Sequence, residues 1–127
     1  MPTTLVLGAS SNPGRVAYQA IHELKAARED LILIGLRPDT VAEQRILTPK
    51  DDLSQLPPID TLTLYVGPQN QAFWYDFILD AKPKRVIFNP GTENPELEER
   101  LRAANIGVLR ACTLVLLTLG QYQTDFD

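Results

Sequence analysis

Five short apolar runs recur along the chain, separated by segments with helical periodicity. They lie at residues 5–7 (LVL), 31–36 (LILIGL), 62–66 (LTLYV), 85–88 (RVIF) and 106–109 (IGVL). Runs rich in Val, Ile and Leu with no regular polar alternation leave no face for water. Strands of this kind must be covered on both sides, as in a parallel sheet flanked by helices.

The intervening segments supply the cover. Over 15–28, Val16, Ala20 and Leu24 recur one turn apart, with Ala17 and Ile21 alongside, which predicts an amphipathic helix. A second helix is expected over 71–81 (QAFWYDFILDA), with an aromatic-rich apolar side. A third, over 95–104, has Asn94 as its cap and Pro95 in its first turn, with Glu96, Glu98 and Glu99 at its positive end. A last helix is expected over 113–121. Residues 38–58 read as irregular, with one helical turn at 49–53. The length of 127 residues suits one domain. The alternation predicts a single α/β Rossmann-like domain over 1–127. Its five-stranded parallel sheet is expected in the order 3-2-1-4-5, with helices on both faces. Ligands of such sheets bind beyond the C-terminal strand ends where the order reverses, here expected between the first and fourth strands.

GASSNPGR, residues 8–15, stands at that position. A phosphate-binding βα loop must turn sharply, approach the anion without Cβ obstruction and aim N–H groups at it from a helix start. Gly8 supplies the turn, and Ser10, Ser11 and Asn12 offer hydrogen bonds and caps. Gly14 opens the helix entrance, and Arg15 adds a planar cation suited to phosphate oxygens. The loop lacks the Lys-Ser/Thr end of a Walker loop. It is also not G-x-G-x-x-G, because Ser10 takes the place of the second glycine and Pro13 that of the third. Turn chemistry alone accounts for most of these residues. At the end of the second run, dinucleotide domains for NAD carry an acid that bonds the ribose hydroxyls. Here Arg37 precedes Pro38 and Asp39. An arginine suits a phosphorylated ribose, a group found in both NADP and coenzyme A.

Taken in order, these residues resemble the small CoA-binding domain family, Rossmann-like domains similar to the N-terminal CoA-binding domain of the succinyl-CoA synthetase alpha subunit. The resemblance runs through Gly8-Ala9-Ser10 and Arg15, matching G-A-S-x-x-x-x-R, and through Leu53, Leu56, Pro57 and Asp60 ahead of the third strand. It continues at Val66-Gly67-Pro68, at Asn89 to Asn94 after the fourth strand, and at Cys112 after the fifth. The end of the second run departs from it: Gly35-Leu36-Arg37-Pro38 replaces a Val-Asn-Pro-like turn, and the glycine that follows in relatives is absent. The resemblance implies that Gly8, Ala9, Ser10, Asn12, Gly14 and Arg15 surround the phosphates. It places Arg37 near the phosphorylated ribose or the adenine. Val66, Gly67 and Pro68 would line the adenine or pantetheine path, and Asn89 and Gly91 would close the crevice. The implied ligand is coenzyme A or an acyl-CoA, bound without catalysis by a sensor, carrier or regulator.

Other functions find less support. The net charge of −4 disfavours general binding to nucleic acid or to an anionic membrane, which needs a basic face. One cysteine and one histidine make neither a disulfide nor a zinc site, and a cytoplasmic location is expected. His22 reads as a surface residue. Phe73, Trp74, Tyr75 and Phe77 read as core and interface filling. The carboxylates Glu96, Glu98 and Glu99 read as solvated, and Cys112 as a buried thiol or one that meets the pantetheine thiol. Two rivals remain. An NADP-dependent reductase fragment would need a Tyr-x-x-x-Lys pair that the chain lacks. A protein-interaction module with a degenerate pocket would bind no nucleotide and would hold a protein partner. Separately, the C-terminal TLVLLTLG is apolar enough to cover the sheet or to meet a second copy in a homodimer.

Overall fold

The computed structural model describes residues 2–123, so residue 1 and residues 124–127 of the expected domain lie outside the described residues. The elements in order are β1 (Thr3–Leu7), α1 (Val16–Ala26), β2 (Asp30–Ile34), β3 (Thr40–Val41), β4 (Gln44–Leu47), β5 (Thr61–Leu64), α2 (Tyr75–Ala81), β6 (Arg85–Phe88), α3 (Pro95–Ala103), β7 (Gly107–Arg110) and α4 (Thr113–Thr118). Each of the five apolar runs contributes one strand. Two 3-10 turns, Pro68–Asn70 and Ala72–Trp74, take the first part of the helix expected from residue 71.

The sheet differs from the expected one in strand number and in order. It has seven strands, ordered β3-β4-β2-β1-β5-β6-β7, parallel throughout except where β3 meets β4. The third apolar run, β5, does not lie outside the second. It pairs with β1 on the opposite side, so the five runs stand in the order 2-1-3-4-5, the other common doubly wound arrangement. Burial gives the reason. All four residues of β5 are buried, which an interior place between β1 and β6 satisfies and an edge would not. The place beside β2 goes instead to β4, which is only partly buried, with β3 outside it at the edge.

The β3–β4 hairpin lies inside the segment expected to be irregular. Its two turn residues, Ala42 and Glu43, have φ of 51° and 64°, the left-handed pair that a two-residue hairpin requires. Lys25 of α1 holds the turn, bonding the Ala42 carbonyl and pairing with Glu43 at 3.2 Å. No helical turn forms at 49–53. The Asp51 carboxylate accepts the Thr48 N–H at 2.8 Å and closes a simple turn.

Strand alternation sorts the core into two layers. Leu5, Leu7, Ile32, Ile34, Leu62, Leu64, Val86 and Phe88 face α2 and α3, which bring Ile78, Leu97 and Leu101, while Leu53 and Leu56 cover the same side. Val6, Leu33 and Ile87 face α1 and α4, with Ile21, Leu24 and Leu116. Asn94 caps α3 by accepting the Leu97 N–H at 3.4 Å. α4 ends sooner than expected, at Thr118, with Gly120 at φ 69°.

Glu98 overturns the reading of a solvated carboxylate. It is 2 % exposed and receives Arg110 through Nε and Nη2, both at 2.9 Å, with the Asn94 N–H also at 2.9 Å. These bonds, Arg110 first, hold its carboxyl below the usual value of 4.5. A carboxylate depressed in the folded state adds stability at pH above its unfolded value. It loses that contribution as pH falls through the folded value. Chemical denaturation followed from pH 7 to pH 3 should therefore show a fall below about pH 4.5, and Glu98→Gln should make that fall shallower than in the unaltered protein.

Candidate functional site

The switch in strand order lies between β1 and β5, rather than between the first and fourth runs, because β5 is the strand that crosses to the far side of β1. The loop at residues 8–15 still opens there. It leaves β1 at Gly8, whose φ is 97° and where a Cβ would stand 2.9 Å from the Tyr65 backbone carbon. The Gly8 and Ala9 N–H groups both donate to the Ile34 carbonyl at 2.9 Å, which folds the loop onto the end of β2. Gly35 permits the approach, since a Cβ there would lie 2.4 Å from the Ala9 carbonyl oxygen.

The remaining loop bonds decide which groups face outward. Ser10 Oγ accepts the Asn12 N–H at 3.0 Å, and Asn12 Oδ1 accepts the Gly14 N–H at 2.9 Å. The Arg15 N–H goes to the Asn12 carbonyl at 3.0 Å. The Ser11 hydroxyl, together with the Thr40 N–H, holds the Asp39 carboxyl below its usual range. The acceptor oxygens of Ser10 and Asn12 thus shape the loop. Among the described residues, the N–H groups of Ser10, Ser11, Val16 and Ala17 make no bond within the protein. α1 opens with no side-chain cap and no acidic residue in its first turn. Its positive end meets no acidic side chain in its first turn. Arg15 and Arg37 are exposed beside it.

A crevice of about 1260 Å³ spreads from this loop across the C-terminal ends of β2, β1, β5 and β6. It brings together Gly8, Ala9, Ser10, Asn12, Gly14, Arg15, Arg37, Val66, Gly67, Asn89 and Gly91. Pro68 is not on its wall. Pro68 starts the 3-10 turn that puts Gln69 and Asn70 there instead. Asn89 lies on the floor at 2 % exposure, and its amide is fully engaged. Nδ2 donates to Thr63 Oγ1 at 2.7 Å and to the Leu64 carbonyl at 2.9 Å, and Oδ1 accepts the Thr113 N–H at 2.9 Å. It ties β5 and β6 to the start of α4.

Several lining residues carry no clear mark in the sequence: Gly35, Leu36, Tyr65, Phe73 and Trp74. A glycine inside a strand-like run, as in LILIGL, is the one available signal, because it marks a close backbone approach. Burial pushes the Tyr65 phenol up to about 12, so it is neutral at physiological pH. Its hydroxyl lies near Thr63 and Thr113 without a well-formed hydrogen bond. Behind the wall, the buried Gln71 amide donates to the Val66 carbonyl at 2.8 Å and the Thr92 carbonyl at 2.7 Å, and accepts from Asn94 at 2.8 Å. This bridges the loops that follow β5 and β6. Cys112 is half-buried and also lines the crevice. His22 is exposed on α1, against Tyr18 with ring centroids 4.7 Å apart.

Doubly wound α/β proteins place their ligand sites at the switch point, where this crevice lies. The CoA binding domain family matches residues 2–118, and the chain belongs to that family. Among solved structures, that of an uncharacterised protein is 44 % identical, with a TM-score of 0.89 over 95 % of this chain and 98 % of the other. The structure of cell-free ID.343 from Thermus thermophilus is 23 % identical, with a TM-score of 0.80 over 94 % and 90 % of the two chains. Prb, a PH1109 protein redesigned for binding, is 17 % identical, with a TM-score of 0.80 over 94 % and 82 %. These last two share the fold. No protein of curated function matches the sequence.

Gly35→Ala tests the packing that shapes the site. The added methyl meets a backbone oxygen that cannot rotate away, so the loop or β2 must shift. Overpacking of this kind costs about 1–3 kcal/mol. Urea denaturation should show a lower midpoint with an unchanged slope, and a midpoint equal to that of the unaltered protein would contradict the contact.

Proposed function

We propose that the crevice binds coenzyme A or an acyl-CoA and performs no chemistry on it, so that the protein acts as a sensor, carrier or regulator in the cytoplasm. The observation that carries this reading is the set of four unpartnered N–H groups, those of Ser10 and Ser11 in the loop and of Val16 and Ala17 at the uncapped start of α1, in a chain of the CoA binding domain family. The diphosphate sits on the N–H groups of Ser10, Ser11, Val16 and Ala17, with the Arg15 guanidinium alongside. Arg37, at the end of β2, takes the ribose phosphate. Val66 and Gly67 flank the pantetheine arm.

The lining supports a non-catalytic role. Its titratable residues are Arg15, Arg37, Tyr65 and Cys112, with no carboxylate, histidine or lysine among them. General acids and bases near neutral pH are most often those groups, and Tyr65 is shifted up rather than down. Cys112 is the thiol on the lining, with no histidine among the lining residues to activate it. The same lining speaks against an NADP-dependent reductase. Among the described residues, no helix is long and apolar enough to cross a membrane.

Calorimetric titration with CoA, dephospho-CoA and NADP tests the assignment. Removing one charge-assisted hydrogen bond should weaken binding roughly 10- to 100-fold. Arg15→Ala should weaken CoA and dephospho-CoA alike. Arg37→Ala should weaken CoA only, bringing it down to the affinity of dephospho-CoA. If none of the three binds, the crevice is vestigial and the chain is a protein-interaction module.

A further inference from the structure

Five large apolar side chains are strongly exposed among the described residues: Val16, Leu36, Phe73, Val115 and Leu119. Three of them, Val16 (55 %), Leu36 (76 %) and Phe73 (70 %), line the crevice. Single exposed apolar residues are ordinary, but several gathered on one cleft mark a binding surface.

Their positions around the sheet are unequal. Val16 stands at the start of α1 above β1, and Leu36 at the end of β2 beside Arg37. Phe73 lies on the opposite side, in the 3-10 turn after β5, and is held edge-on against the buried Trp74 with centroids 5.1 Å apart. With the diphosphate at the start of α1 and the ribose phosphate at Arg37, the pantetheine arm has only the β5–β6 side left to it. The thiol end of the ligand therefore reaches the walls formed by Val66, Phe73, Trp74, Pro90 and Cys112. Among the described residues, no charged side chain lines that end of the crevice.

Resting on the CoA reading, we infer that the ligand is an acyl-CoA with an uncharged aliphatic acyl group, and that Phe73 is the wall that selects it. An aliphatic chain laid on the Phe73 ring removes apolar surface of both partners from water. An acyl group ending in a carboxylate would lose hydration there and find no cation to replace it.

The test compares CoA, butyryl-CoA and succinyl-CoA on the unaltered protein and on Phe73→Ala. Phe73 is exposed, so truncating it leaves the core intact. A fully buried methylene changes affinity about fourfold, so butyryl-CoA should bind about 10-fold more tightly than CoA with its chain partly buried. Succinyl-CoA should gain nothing over CoA. In Phe73→Ala the ratio of butyryl-CoA to CoA affinity should fall to about one. Equal binding of CoA and butyryl-CoA by the unaltered protein overturns the inference and leaves the CoA reading standing. The inference also falls, again without touching the CoA reading, if succinyl-CoA matches butyryl-CoA or if Phe73→Ala keeps the ratio. Failure of all three ligands to bind overturns both.

Discussion

The site depends on one shared acceptor. The Ile34 carbonyl, at the end of β2, takes the N–H groups of both Gly8 and Ala9. That bifurcated contact turns the chain down as it leaves β1 and fixes where α1 begins. It works only because Gly35 carries no Cβ to meet the Ala9 carbonyl oxygen, and because Gly8 can adopt a φ of 97° beside Tyr65. The next residues then satisfy one another, Asn12 through Ser10 and Gly14 through Asn12. What is left unsatisfied is the N–H groups of Ser10 and Ser11 in the loop and of Val16 and Ala17 at the helix start. The free donors at this loop are thus a remainder, set by which donors the fold has already used.

The other wall rests on buried amides. Asn89 joins β5, β6 and the start of α4, and Gln71 joins the loops after β5 and β6. A buried polar side chain is costly unless its groups are paired, and both amides are paired to backbone at the crevice edge. They hold the loops at fixed separation without filling the space between them. An apolar core residue at position 71 would pack, but it would leave the carbonyls of Val66 and Thr92 without the Gln71 donor.

Much of the fold was legible because one face-to-face rule governs it. Strands covered on both sides must be apolar at successive positions, and the runs of β1, β2, β5 and β6 are largely buried, whereas β7, at the edge, is exposed or half-buried throughout. α1 and α3 also showed their periodicity, and Asn94 its capping role. Strand order was not legible, because a run such as TLTLYV fits any interior position and its neighbours are set by packing across the sheet. The β3–β4 hairpin was hidden by its turn, where Ala42 and Glu43 take left-handed angles usually given to Asn and Gly, supported by Lys25 from a distant helix. The burial of Glu98 was hidden because its partner Arg110 lies on another element. At the site, GASSNPGR marked the loop and its position, but not the division of labour within it. Ser10 and Asn12 read as ligand contacts, whereas their acceptor oxygens bond the loop itself. Phe73 read as packing because nothing local distinguishes an aromatic that faces the core from one that faces a cleft.

The most direct test is a backbone amide spectrum of isotopically labelled protein titrated with coenzyme A. On the proposed reading, the Ser10, Ser11, Val16 and Ala17 resonances should move most and move together, because their N–H groups would donate to the phosphate oxygens. The Gly8 and Ala9 resonances, whose donors stay on Ile34, should move less. Saturable binding that leaves those four amides in place and shifts residues elsewhere would contradict this assignment, and the helix start would then not be where the nucleotide is held.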